Sequence, residues 1–192
     1  MVTQRFNPPS TWIPKKQGNI FFLGLLELTL CLAEVLEPDA KMIEIGSYMG
    51  ESTLIFASSG IFSKIYAIDP FNFEESFNKS LDASNRDWKF VRQEFKNNTR
   101  FFNNVEPIQD VSENVSSNFE DGSIDFIYID GDHSLDAVKR DILLYLPKLK
   151  EGGIIAGHDY SKERWPGVVS AVNSTIGIPD AIFKDTSWMK QI

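Results

Sequence analysis

The sequence predicts an α/β protein: a doubly wound, mostly parallel seven-stranded sheet with helices on both faces and its last strand antiparallel. Three observations carry that expectation. Short apolar runs alternate with helix-like stretches along most of the chain, the pattern of strands joined by crossover helices. Acids and glycines recur where those runs end, at Glu44, Gly46, Asp69, Asp110, Asp130 and Asp159, and in open α/β sheets ligands bind just outside the carboxyl ends of strands. The final runs, "AIFKD" and "SWMKQI", leave no room for a helix between them, so one must pair antiparallel through a tight turn around Asp185-Thr186.

The elements follow in order. Residues 1–19 hold three prolines and Trp12 and read as an irregular arm. "IFFLGLLELTLCLAEVL" (20–36) reads as a helix that stops before Pro38, which disfavours helix at Glu37. "KMIEIG" (41–46) is the first strand, with a helix starting near Gly50, and "KIYAID" (64–69) is the second strand. Residues 74–103 are polar with an irregular helical rhythm through Phe77, Leu81, Trp88, Val91, Phe95 and Phe102. "VEPIQD" (105–110) is a strand and "VSENVSSNF" a short helix. "IDFIYID" (124–130) is the clearest strand, and "LDAVKRDILLYLPKL" the clearest amphipathic helix. "GGIIAGHD" (152–159) and "GVVSAVNSTIG" add another strand and helix before the two closing strands. The 192 residues suit one domain spanning 1–192, in which the arm and the 20–36 helix precede the core.

Composition narrows the function. A net charge of -8 and a pI near 4.8 oppose binding to a phosphate backbone, so nucleic acid is not an expected partner. The single cysteine, Cys31, cannot form an internal disulfide and reads as a small buried hydrophobe. The 20–36 segment carries Glu27 and Glu34, is marginal in length for a bilayer, and lacks the flanks of a secretory signal. It reads as a helix packed on the sheet, with an apolar remainder suited to a second copy in a homo-oligomer. No membrane partner is expected, and the cytoplasm is the expected address.

Two motifs carry chemistry. In "MIEIGSYMGEST", Gly46 ends a strand and Gly50 opens a helix, so the backbone can approach a ligand at a helix N-terminus. The spacing is G-x-x-x-G, with Tyr48 where a dinucleotide loop would place its middle glycine, which argues against a nicotinamide oxidoreductase. Asp69, roughly twenty residues after Gly50, is placed to accept ribose hydroxyls, although Asp69-Pro70 also simply starts turns. Glu44 lies within its strand, where an unpaired carboxylate is costly and a ligand carrying a cation would compensate it. S-adenosylmethionine has a sulfonium, an ammonium and a ribose, and no pyrophosphate. The second motif gathers the chain's only two histidines, in "YIDGDHSLDAV" and "IIAGHDYS", beside carboxylates. In "GDHS", Asp132 or Ser134 also suits capping of the next helix. Arg140 and Asp141 read as a solvated helix face.

Taken together, "IEIGSYMGEST", "IYAIDPF", "IQDVSE", "DFIYIDGDHSLDAVKRDI" and "LKEGGIIAGHDY" resemble, in order, the class I S-adenosylmethionine-dependent methyltransferases with a Rossmann-like fold, most closely the small-molecule O-methyltransferases related to macrocin O-methyltransferase. The resemblance implies that Glu44, Gly46 and Gly50 line the methionine end of S-adenosylmethionine, with Ser47 and Tyr48 in the same loop. It places Asp69 at the ribose, Phe71 near the adenine, Asp110 at the adenine amino group and Val111 beside it. Asp130 matches a metal-binding aspartate that also borders the cofactor, His133 the general base, and Asp159 a second metal carboxylate. One departure concerns the ion: where several metal-dependent relatives carry an acidic pair or Asp-Asn, this chain has His158-Asp159. The implied metal set is Asp130, His158 and Asp159, and an imidazole ligand suits zinc, iron or manganese better than magnesium.

The chemistry fits. Methyl transfer from a sulfonium is a displacement that needs an aligned nucleophile. A hydroxyl acceptor gains nucleophilicity when a base takes its proton or a divalent ion lowers its pKa. His133, supported by Asp130, suits that base because imidazole titrates near neutrality. The expectation is O-methylation of a small-molecule acceptor, a sugar or secondary metabolite. Trp12, Trp165 and the Asn-rich 97–104 stretch are outlying candidates for its pocket. Two other classes share these residues: a metal-dependent hydrolase or hydroxylase-like enzyme using Asp130, His133, His158 and Asp159, and a non-catalytic S-adenosylmethionine-binding module.

Overall fold

The computed structural model describes residues 23–72 and 87–192. The arm 1–19 with its Trp12, and the part of 74–103 that contains Phe77 and Leu81, lie outside the described residues.

Seven strands form one sheet: β1 (Ala40–Ile45), β2 (Phe62–Ile68), β3 (Val105–Ile108), β4 (Ile124–Ile129), β5 (Leu149–Gly157), β6 (Ala181–Ile182) and β7 (Trp188–Gln191), in the order β3-β2-β1-β4-β5-β7-β6. The first five run parallel, and β7 pairs antiparallel with both β5 and β6. The short link between β6 and β7 forces that reversal, as the sequence predicts. Among the described residues six α-helices surround the sheet: α1 (Leu23–Val35), α2 (Glu51–Ser58), α3 (Trp88–Thr99), the single turn α4 (Ser112–Val115), α5 (Leu135–Tyr145) and α6 (Pro166–Thr175).

The two-residue period of the strands divides the core. Met42, Phe126, Tyr128 and Ile154 face one side, under Leu28 and Leu32 of α1 and Phe56 of α2. Ile43, Ile127 and Ile155 face the other, under Ile142 and Tyr145 of α5 and Val172 of α6. Each such side chain contributes about 1.5–3 kcal/mol by leaving water. Val91 and Phe95 of α3 pack with Ala67 and Phe71 beyond β2. The described part of the 20–36 segment, α1, is therefore a wall of the core: Leu25, Leu28 and Leu32 are buried, and no helix among the described residues is long and apolar enough to cross a membrane.

Register places the site. Ile45 stands opposite Ile68 on one side and Ile129 on the other, and Ile129 stands opposite Gly157. The next residues keep the ladder going. Gly46 N–H donates to Ile68 O (2.9 Å), Asp130 N–H to Ile45 O (2.8 Å), and His158 N–H to Ile129 O (3.1 Å). Four parallel strands thus end level, and Gly46, Asp69, Asp130 and His158 emerge side by side at the point where strand order reverses between β1 and β4.

Candidate active site

A cavity of about 560 Å³ opens above those strand ends, within the size range of small-molecule sites. Its first wall is the loop 46–50. Gly46 has φ +88, and a Cβ on it would lie 2.2 Å from the Asp130 carbonyl oxygen, so the first loop passes directly over the start of the fourth. Only glycine tolerates that conformation and that approach. Tyr48 also adopts a positive φ, 44, and lines the cavity with Ser47. The Ser47 hydroxyl is buried and has no hydrogen-bond partner among the described groups. A buried polar atom in that state awaits a ligand or carries a desolvation cost.

Asp69 ties two loops together. Its Oδ2 accepts from Tyr48 N (2.8 Å) and its Oδ1 from Phe71 N (2.7 Å). Burial raises its pKa, and the two backbone donors only partly offset that. The turn-forming and ligand-binding readings of Asp69 coexist, since each carboxylate oxygen keeps a second lone pair. At the far end, Asp110, Val111 and Ser112 line the cavity. Asp110 Oδ1 accepts from Val111 N and Asn114 Nδ2, both at 2.8 Å.

Three expected cofactor residues stand apart from the cavity lining. Glu44 is on the β1 face covered by α2, fully buried, where both its oxygens accept hydroxyls, from Ser52 and Thr53. Burial pushes its pKa up to about 7 against those two hydrogen bonds, with Asp130 and Asp69 adding to the rise. Gly50 caps α2 in a left-handed conformation, and a Cβ there would lie 2.9 Å from Phe95 Cδ2, so its backbone packs closely against α3. Phe71 packs its ring 5.3 Å from that of Phe95 in the core.

The second wall is ionic. His133 Nε2 lies 2.8 Å from Asp159 Oδ2 and 3.6 Å from Asp130 Oδ1. Asp159 reaches it through a left-handed turn, φ 61, at the end of β5. One ligand atom each from Asp130, His133 and Asp159 falls within 4.8 Å of the others, close enough to share an ion. His158, expected among the ligands, is outside this group: its Nδ1 points to Asp159 Oδ1 at 3.2 Å, and its carbonyl accepts from Trp188 Nε1. Burial alone would lower the His133 pKa, but hydrogen bonds and charge from Asp130 and Asp159 push it up to about 10. Asp159 is displaced the other way. Burial raises it, yet the bonds and charges of the two histidines hold it well below the usual carboxylate range. Asp130 stays raised because burial outweighs its imidazole partners.

Sequence reasoning missed residues here. Asp141, assigned to a solvated face, is 3% exposed and lines the cavity. Its helix buries Ala137, Val138, Asp141, Ile142 and Tyr145, a helical stripe that includes position 141 despite its charge. Arg140 does not stand free either; its Nε lies 2.6 Å from Glu113 Oε1. Trp165 borders the cavity, its ring centroid 4.4 Å from that of His133. Ser134 caps α5 by accepting from Ala137 N, while Asp132 accepts from Ser134 N.

A cavity at the β1–β4 reversal, with one end shaped by backbone and the other by carboxylates and imidazoles, is where open α/β sheets hold their ligands. Residues 43–160 match the model of a methyltransferase-domain family; the chain belongs to that family and has the Rossmann-like fold of class I S-adenosylmethionine-dependent methyltransferases. Over 144 residues it is 31% identical to protein R132 of Acanthamoeba polyphaga mimivirus, a match covering 73% of this chain and 61% of that one. The chain thus spans less than two thirds of that relative's length. CalS11, a calicheamicin methyltransferase, shares the fold at 15% identity with a TM-score of 0.60, over 86% of this chain and 77% of its own. Phosphoethanolamine N-methyltransferase 1 of Haemonchus contortus, solved with phosphoethanolamine and S-adenosylhomocysteine, matches at 11% identity and a TM-score of 0.50, over 70% of this chain and 25% of its own.

Proposed function

We propose that the protein transfers the methyl group of S-adenosylmethionine to a hydroxyl oxygen of a small-molecule acceptor. The observation that carries this reading is that one cavity joins a nucleoside-shaped end, Ser47, Asp69 and Asp110, to the cluster around Asp130 and His133. The first end fits the cofactor: the unsatisfied Ser47 hydroxyl, the bare Gly46 backbone and the Asp69 carboxylate are the groups that an amino-acid moiety and a ribose require. S-adenosylhomocysteine in the Haemonchus contortus enzyme and the small-molecule chemistry named for CalS11 support the cofactor and the acceptor class.

In the reaction a C–O bond forms as the S–CH3 bond breaks, leaving S-adenosylhomocysteine and a proton. Orientation supplies much of the rate, and the protein's own task is to place the hydroxyl and accept the proton. Held between two carboxylates, His133 is an imidazolium at neutral pH and serves as a base only after it loses that proton. Asp130 and Asp159 are the carboxylates that would hold a divalent ion, magnesium, manganese or another; His133 could join them as third donor only as a neutral imidazole, and would then be a ligand rather than the base. An ion there supplies polarisation of the hydroxyl and a lower hydroxyl pKa. Trp165, its ring tilted 41° against that of His133, gives the acceptor an aromatic wall.

The test is calorimetric titration of S-adenosylmethionine, with and without magnesium or manganese, on wild type and Asp69→Ala, followed by assay of S-adenosylhomocysteine release with a panel of sugars and phenols. Binding that weakens in Asp69→Ala, and turnover with a hydroxylated acceptor, are expected. A wild type that binds no S-adenosylmethionine under any metal condition overturns the reading.

A further inference from the structure

Helix α5 grips the loop after β3 through three polar links. Asp141 Oδ1 accepts the Ser112 hydroxyl at 2.5 Å. One turn later, the fully buried Tyr145 donates its phenol to the Ser112 backbone carbonyl at 2.8 Å. Beside them, Arg140 Nε lies 2.6 Å from Glu113 Oε1. All three end on residues 112–113, directly after Asp110 and Val111. Ser112 and Asp141 themselves reach the cavity surface.

A carboxyl group 3% exposed inside an otherwise apolar stripe is an expensive way to fill space. Replacing such groups by apolar residues of similar volume is often neutral or stabilising, so packing does not account for it. What Asp141 does, with Tyr145, is fix both ends of Ser112, hydroxyl and carbonyl, from one rigid helix. Burial pushes the Asp141 pKa up to about 6 against the Ser112 bond and the Arg140 charge. Either protonation state keeps an oxygen able to accept the serine hydroxyl.

We infer that Asp141 is a positioning residue for the cofactor's base: by clamping Ser112 it holds the segment 110–113 in the shape that receives adenine, and so sets how strongly the site prefers adenine to another purine. This rests on the proposed use of S-adenosylmethionine. A wall held within a fraction of an ångström discriminates hydrogen-bonding groups that a loose wall does not.

The experiment titrates S-adenosylhomocysteine and S-inosylhomocysteine, which replaces the adenine amino group by a carbonyl, into wild type, Asp141→Leu and Asp141→Asn, with a thermal melt of each. Wild type should favour the adenine ligand by about tenfold or more. Asp141→Leu should lose about tenfold in affinity for S-adenosylhomocysteine and show a preference of about twofold or less, with an unchanged or higher melting temperature. Asp141→Asn keeps an acceptor for Ser112 and should restore most of the preference. A purely structural role predicts a lower melting temperature with the preference intact, and that result overturns the inference, as does unchanged affinity in Asp141→Leu. Should Asp141→Leu fail to fold, Tyr145→Phe removes one link only and must still reduce the preference; an unaltered ratio there is equally fatal. A wild type that binds neither ligand is a different failure, since it removes the cofactor reading itself and this inference with it.

Discussion

The two ends of the cavity are built by opposite means. At the β1–β2 end a ligand would meet the bare Gly46 backbone and the neutral Ser47 hydroxyl, with a single carboxylate, Asp69, already holding two amides. At the β4–β5 end it would meet side chains whose charges depend on one another, with His133 between Asp130 and Asp159, and His158 lining the cavity beside Asp159. On the proposed function, the first end serves binding and the second serves proton movement. Substitutions should therefore separate: those at the first end change affinity, those at the second change turnover.

The largest expected effect is at the ionic end. His133→Ala should lower kcat by about 10²–10⁴-fold, the usual contribution of a positioned acid or base, while S-adenosylmethionine affinity stays within about twofold. Single-turnover rates beside calorimetry check this. Equal losses in both would show that the two ends are not separable.

Glu44 sharpens the comparison because it sits beneath the neutral end. Its folded pKa, about 7, is raised above the ordinary value of 4.5. The proton is thus bound more tightly by the folded state, and the contribution is fully present below pH 4.5 and lost as pH rises through 7. The loss amounts to something on the order of 3 kcal/mol. The difference in urea stability between wild type and Glu44→Gln isolates this group from Asp141 and the histidines. Glu44→Gln should overtake wild type as pH climbs from 4.5 to 7.5. A flat difference would mean that the Ser52 and Thr53 hydroxyls keep the carboxylate ionised.

Asp69→Asn should weaken S-adenosylmethionine by about 10–30-fold, because one carboxamide oxygen cannot accept both Tyr48 N and Phe71 N and still serve a ribose. The pH dependence of turnover should not move. A shifted profile would couple the two ends through Asp69.

Much of this architecture was legible from letter patterns. Strand runs ending in Gly46, Asp69, Asp130 and His158-Asp159 are visible because a buried parallel strand is a bare apolar run, and the acid after it stands out. The misplaced residues share a cause. Glu44 lies on the β1 face that α2 covers, two residues short of the strand end, and its hydroxyl partners lie on a helix whose rotation a sequence does not show. Asp141 carries a charge at a position where helical spacing demands burial, and the charge was given more weight than the spacing. Phe71 and Asp159 adopt left-handed conformations, φ 47 and 61, that ordinary residues seldom take. No letter announces such a turn, yet the one at Asp159 brings its carboxylate against both His133 and His158.

The smallest effect gives the cleanest separation of pocket from scaffold. Among the described residues the Ser47 hydroxyl is buried without a partner, so it carries a desolvation cost in the fold. Removing an unsatisfied hydroxyl relieves that cost, and Ser47→Ala should be more stable than wild type by about 1 kcal/mol in urea titration. The same change removes a donor from the ligand, so S-adenosylmethionine should bind about fivefold more weakly. The two effects carry opposite signs. A hydroxyl serving the fold would lose stability on removal, whereas one reserved for the ligand gains stability and loses affinity. Ser47→Ala that is both less stable and equally tight in binding would place this hydroxyl in the scaffold, and the neutral end of the cavity would then owe its selectivity to Asp69 and the backbone alone.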